Sequence, residues 1–184
     1  MVKKIVILGP ESTGKSTLCK QLADHFKTSW VKEYAREYLL KHGTDYTYEN
    51  LLDIAKGQLT LEDKTADQLQ TINHKPQTLF IDTDMYVMKV WCEFVFEKCH
   101  HWILNRIVER SYDLYLLCNT DIPWVKDELR EYPDLPTREK LSHHYKDIMI
   151  NQSVPWVEIS GSYEERLKKA ITAVNKGIIN SITI

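Results

Sequence analysis

Gly9-Pro10-Glu11-Ser12-Thr13-Gly14-Lys15-Ser16 decides the fold. The octapeptide fits G-x-x-x-x-G-K-[ST], the Walker A or P-loop pattern that cradles phosphate. Before it runs Lys4-Ile5-Val6-Ile7-Leu8, a short apolar segment that reads as a buried strand. After it, Leu18, Leu22 and Phe26 recur at helical spacing from Lys15 onward. Glycines let the backbone curl so that successive N–H groups face an anion, and the helix N-terminus adds partial positive charge. Lys15 is placed to reach the β- and γ-phosphates, and the Ser16 hydroxyl to ligate Mg²⁺. Gly9, Glu11, Ser12, Thr13, Gly14, Lys15, Ser16 and Thr17 are therefore expected to bind ATP. The competing reading, an ordinary glycine-rich turn, is disfavoured by the strand and helix on either side.

Working outward, strand-like runs fall at 29–34, 78–82, 114–118 and 155–159. Helical patterns fall between them, at 35–42, 47–73, 85–97, 102–110 and 138–151, with a last one at 163–180. The longest carries Leu51, Ala55, Leu59, Ala66 and Leu69 on one stripe. Gly57 interrupts it at a cost of about 1 kcal/mol against Ala, which predicts a bend or two helices. Lys75-Pro76 is expected to end it. Leu167, Ile171, Val174 and Ile178 stand in register in the last helix. Alternating strands and helices predict an α/β, three-layer fold: a five-stranded parallel sheet with helices on both faces. The polar stretch 119–137, with Pro123, Pro133 and Pro136, reads as an excursion after the fourth strand. The organisation expected is one P-loop domain over 1–184 with a lid at about 119–138.

Composition narrows the classes. The 184 residues are 43% hydrophobic, enough for a sizeable core in one domain. A net charge of -2 offers no basic excess for nucleic acid. No run of about 18 apolar residues predicts a membrane span, and the N-terminus does not fit a secretory signal. The four cysteines, Cys19, Cys92, Cys99 and Cys118, show no C-x-x-C spacing, and Cys19 and Cys118 read as buried thiols. A reduced, cytoplasmic setting is expected. His100-His101 and His143-His144 complete no metal-ligand set, so no structural zinc is expected.

In parallel sheets ligands bind beyond the carboxyl ends of the strands, where the remaining chemical residues fall. Asp82 closes Leu79-Phe80-Ile81 as a Walker B acid for Mg²⁺, against a generic turn role. Asp84 is either a helix N-cap or the carboxylate that deprotonates an acceptor hydroxyl; one oxygen cannot do both. Asp84 is the first choice of base and Glu33 the second. Glu33 and Arg36, after the second strand, belong either to the acceptor pocket or to a solvated face with Glu37. Arg130 or Arg138 is expected to act from the lid as an arginine finger and to exclude water. Among the aromatics, Tyr34, Trp91 and Trp124 are assigned to the substrate; the rival reading makes Trp91 core.

Four stretches together carry a resemblance: 9–16, Glu33-Tyr34-Ala35-Arg36-Glu37, Phe80-Ile81-Asp82-Thr83-Asp84, and 121–130 with Trp124-Val125-Lys126-Asp127-Glu128-Leu129-Arg130. The sequence resembles the ribosylnicotinamide kinase domain of the NadR-type family across nearly its whole length. That resemblance implies a P-loop kinase passing the ATP γ-phosphate to the 5′-hydroxyl of nicotinamide riboside, with Lys15 and Ser16 holding ATP and Mg²⁺. It assigns Asp82 or Asp84 to the metal and the ribose hydroxyls, and Arg130 to the lid. Unlike multifunctional members, the sequence has no room for a preceding helix-turn-helix and lacks an H-x-G-H signature, so no adenylyl transfer is expected. The rivals are a kinase for another nucleoside, nucleotide or metabolite, and a P-loop ATPase or GTPase switch. Asn119-Thr120-Asp121 is not an N-K-x-D guanine reader, which counts against the GTPase.

Overall fold

A computed structural model describes residues 2–72 and 77–180. The elements in order are β1 (Val2–Leu8), α1 (Lys15–Phe26), β2 (Trp30–Val31), α2 (Tyr34–His42), α3 (Tyr48–Ile72), β3 (Gln77–Asp82), α4 (Met85–Phe96), α5 (His101–Glu109), β4 (Leu114–Cys118), α6 (Leu135–Asn151), β5 (Trp156–Ile159) and α7 (Tyr163–Asn180). All strand pairings are parallel, in the order β2-β3-β1-β4-β5. β1 lies at the centre, with Ile7 beside Asp82 and Leu8 beside Leu117. The chain leaves β1 toward β2 and β3 on one side and reaches β4 and β5 on the other. Such a reversal opens a crevice at the carboxyl edge of a parallel sheet.

Alternation along β1 divides the core. Ile5 and Ile7 pack on one face with Leu18 and Leu22 of α1 and Val174 of α7. Val6 and Leu8 face the other side, with Ala66 and Leu69 of α3, Val90 of α4 and Leu141 of α6. A third cluster joins Ala35, Leu51, Ile54, Met88 and Ile103 beyond the β2 edge. The stripe expected on the longest helix is buried throughout, from Leu51 to Leu69. Cys19 and Cys118 are buried thiols. Among the described residues no helix is long and apolar enough to cross a membrane.

Three expectations are corrected. β2 is two residues long, because α2 begins at Tyr34 and ends the extended run early. α3 runs unbroken through Gly57. That glycine answers to packing: a Cβ there would lie 2.0 Å from Cε1 of Tyr34. α6 starts at Leu135, so the last residues assigned to the lid are helical. Asp134 caps it by accepting the Thr137 N–H at 2.9 Å, and Pro136 takes the first turn, where a missing N–H costs nothing. Lys75-Pro76 and the Ile178 side chain lie outside the described residues.

Candidate active site

The loop between β1 and α1 has the conformation its glycines permit. Gly9 has φ 137° and Gly14 φ 77°. A Cβ at Gly9 would lie 2.5 Å from the Cys118 carbonyl oxygen, so the central strands leave no room for a side chain. Thr13 Oγ1 and Lys15 Nζ both donate to the Pro10 carbonyl, at 2.7 and 2.9 Å. Two buried guanidinium groups brace the loop. Arg166 donates to the carbonyls of Thr13 (2.9 Å), Asn119 (2.9 Å) and Gly161 (2.8 Å), and pairs with Asp121. Arg138 donates to the Ser12 carbonyl at 3.3 Å. Arg166 escapes a reading of the sequence because it sits in an ordinary charged helical turn, distant along the chain from the loop it supports.

At the tip of β3, Asp82 is fully buried and its Oδ2 accepts the Ser16 hydroxyl at 2.5 Å. Burial pushes its pKa up to about 7, the Glu33 charge adds to the rise, and Lys15 and the Ser16 bond oppose it. Asp82 Oδ1 has no hydrogen-bond partner among the described residues. A buried carboxylate oxygen without a partner, beside a hydroxyl, suits a hard cation. Among the described residues no three His, Cys, Asp or Glu side chains cluster to hold a metal. A cation here would complete its shell from phosphate and water, as Mg²⁺ does at nucleotide sites.

Thr83 then turns the chain at φ 80°, a left-handed conformation that costs a β-branched residue of order 1–3 kcal/mol. This turn aims Asp82 and Asp84 at different tasks. Asp84 is the N-cap of α4: Oδ1 accepts the N–H groups of Tyr86 (3.0 Å) and Val87 (3.2 Å), and Oδ2 accepts the Tyr115 hydroxyl at 3.2 Å. Burial raises its pKa to about 7, against those bonds. Oδ1 thus serves the capping role that the sequence allows for Asp84, and Oδ2 is held by Tyr115.

A cavity of about 720 Å³ runs from the Gly9–Thr17 loop to α2 and α4. Lys15, Ser16, Glu33, Tyr34, Arg36, Trp91 and Arg130 line it, with Phe94, Tyr132 and Tyr145 completing an aromatic wall. Glu33 is the N-cap residue of α2 but makes no side-chain capping bond. Asp82, Asp84, Arg138 and Trp124 do not line the cavity; Asp82 meets it through Ser16.

The β4–α6 connection closes over one end of the cavity, whose lining includes Glu11 and Ser12. Glu11, expected to bind nucleotide, accepts the N–H groups of Tyr132 (2.6 Å) and Glu131 (3.0 Å) and lies 3.5 Å from the Trp124 indole nitrogen. Trp124 is thus a strut against the loop and not a wall of the cavity. Ser12 Oγ accepts the Val125 N–H at 3.0 Å. Arg36 holds both oxygens of Asp127, at 3.2 and 2.9 Å, so it meets this connection as well as the cavity. Arg130 donates to the Val125 carbonyl. Trp91 donates to the Tyr46 hydroxyl at 2.8 Å, and Tyr46 donates to Glu131 at 3.0 Å.

The sheet order, the curled loop and the Ser16–Asp82 contact together define a P-loop protein. The chain belongs to the AAA domain family (AAA_28), whose model matches residues 4–166. It is 28% identical over 180 residues to the trifunctional NAD biosynthesis/regulator protein NadR of Escherichia coli (strain K12). That alignment covers 95% of this chain and 42% of the relative, so the chain spans less than half the length of the curated protein it matches. Among solved structures, a NadR protein in complex with NR superposes with a TM-score of 0.79 at 22% identity, covering 95% of this chain and 49% of that one. A thymidylate kinase from Ehrlichia chaffeensis superposes at 0.68 with 14% identity, covering 94% and 98%. The fold is the one these two structures share.

Proposed function

We propose that this chain is a kinase domain that transfers the ATP γ-phosphate to the 5′-hydroxyl of nicotinamide riboside, giving nicotinamide mononucleotide. The carrying observation is the single cavity that joins Lys15 and Ser16 to Glu33 and an aromatic wall, in a chain similar over 95% of its length to NadR. A phosphate-holding loop and a carboxylate facing the same space suit transfer to a small bound acceptor. Flat aromatic faces at Tyr34, Trp91 and Tyr132 suit a planar ring, and a cationic pyridinium gains further from their negative faces.

The Gly9–Ser16 backbone and Lys15 hold the triphosphate in this reading, and Ser16 and Asp82 hold Mg²⁺. When bound, the cation neutralises charge developing on the phosphoryl oxygens. Glu33 orients the acceptor hydroxyl and takes its proton. The hydroxyl oxygen forms a bond to the γ-phosphorus as the bond from that phosphorus to the β–γ bridging oxygen breaks, and ADP leaves. Arg130 supplies positive charge from the lid, which we place at 119–134. Closure of the lid keeps water from competing with the acceptor. Arg138 acts indirectly, by supporting the Ser12 carbonyl. The setting we assign is cytoplasmic, consistent with four cysteines free of disulfides.

The test is ATP consumption by the purified protein with Mg²⁺, with and without nicotinamide riboside, beside a panel of nucleosides and mononucleotides. Turnover that requires nicotinamide riboside supports the proposal. Turnover with another acceptor keeps the kinase and moves the substrate. Steady ATP loss without any acceptor replaces it with an ATPase.

A further inference from the structure

Gln58 carries no motif, yet it is completely buried in the middle of α3. Its Oε1 accepts the Tyr34 N–H at 2.7 Å. Its Nε2 donates to two carbonyls, Lys32 at 3.3 Å and Asp82 at 3.2 Å. The β2–β3 ladder pairs Trp30 with Phe80 and Val31 with Ile81, and ends there. The next pair in that register is Lys32 and Asp82, whose carbonyls Gln58 bridges. A side-chain amide therefore continues the tie between the strands where the sheet stops.

The chemistry of the three partners selects an amide. An N–H can only donate and a carbonyl can only accept, so the orientation of the Gln58 amide is set by its surroundings. A carboxylate would confront two carbonyl oxygens, and an ammonium would leave the Tyr34 N–H unpaired in the interior. Between the two backbone groups held, at Lys32 and Tyr34, stands Glu33. Its carboxylate is free of capping duty and lines the cavity. Glu33 has few other restraints, since the ladder has ended and α2 has barely begun.

We infer that Gln58 is a positioning residue: it clamps the backbone on both sides of Glu33 and fixes it relative to Asp82, giving acceptor side and metal side one frame. The catalytic part of this inference rests on the reaction proposed above; the clamp itself does not. A displacement near 1 Å at a reacting group costs on the order of 100-fold in rate, the scale on which the clamp acts.

The test uses the full chain with Gln58→Met, Glu33→Gln and the double variant. Gln58→Met is expected to lower kcat about 30-fold with the KM for ATP within about 2-fold, and to change kcat less than about 2-fold once Glu33 is already Gln. Equal losses in both backgrounds overturn the inference, because a general structural defect would be additive. Amide hydrogen exchange at Tyr34 gives a readout independent of activity, expected to rise at least about 10-fold in Gln58→Met. Unchanged protection overturns the clamp. If Gln58→Met does not fold, Gln58→Asn keeps the amide but is one methylene too short to reach all three partners: Tyr34 exchange rises and kcat falls, and wild-type values of both overturn the inference. Wild-type protein without acceptor-dependent turnover overturns the reaction and the catalytic part, while Tyr34 exchange still decides the clamp.

Discussion

The Tyr132 N–H donates to the Glu11 carboxylate at 2.6 Å, tying the β4–α6 connection to the phosphate-binding loop across 121 residues of sequence. Glu131 adds a second N–H to the same carboxylate, and its own side chain accepts the Tyr46 hydroxyl. The connection is therefore held at once by the phosphate-loop end of the cavity and, through Tyr46 and Trp91, by its α4 end.

Glu11→Ala removes the acceptor for two backbone donors. Hydrogen bonds to a charged group contribute about 1.5–3 kcal/mol each when sheltered, and less at this half-exposed site. Amide exchange at residues 131 and 132 is expected to rise about 10-fold, with a global stability loss of about 1 kcal/mol. Unaltered exchange would show that the connection stays closed by other means.

Gly57→Ala sets two effects against each other. Helix propensity alone favours Ala by about 1 kcal/mol. The Tyr34 ring occupies the space of the new methyl group, at 2.0 Å, and overpacking of this kind costs about 1–3 kcal/mol. Packing should win: a net destabilisation measured by urea unfolding, with a weaker acceptor interaction because Tyr34 lines the cavity. A stabilised variant with intact turnover contradicts this.

Arg36 holds the Asp127 carboxyl below the usual carboxylate range, aided by the Leu129 N–H. A depressed folded pKa stabilises fully above the unfolded value, about 4, and the contribution disappears as pH falls through the folded one. Wild type should therefore exceed Asp127→Asn in stability at pH 6 by about 0.5 kcal/mol, the scale of an exposed pair. The gap between their urea midpoints should narrow as pH falls below the unfolded value and close once pH has passed through the lower folded one. A gap independent of pH would mean that the ion pair contributes nothing.

Glu33→Gln and Asp84→Asn separate the two carboxylates. Loss of a general base typically costs about 100- to 10,000-fold in rate. Glu33→Gln should fall in that range, whereas Asp84→Asn keeps a capping acceptor and should retain turnover within about 10-fold. The reverse ranking, measured by acceptor-dependent ADP release, returns the base role to Asp84.

Local sequence determined most of the strands and helices and the phosphate loop, but not the extent of β2 or the start of α6. β4 and α1 have the expected bounds because apolar runs, helical periodicity and a glycine-lysine loop are short-range signals. The same signals placed Asp82 at a strand tip. What they could not decide was which atoms each polar group meets, since that depends on elements brought together from far along the chain. Asp84 was legible as a cap or a base, and only the Tyr115 hydroxyl on β4 fills its second oxygen. Gly57 has the sequence signature of a helix interruption, and only the Tyr34 ring packed against it explains the glycine. Gln58 and Arg166 are ordinary helix residues by sequence, and their partners are backbone carbonyls, which carry no residue code. Periodicity and propensity act within a few residues, whereas the pairing of buried donors and acceptors is satisfied only in the folded chain.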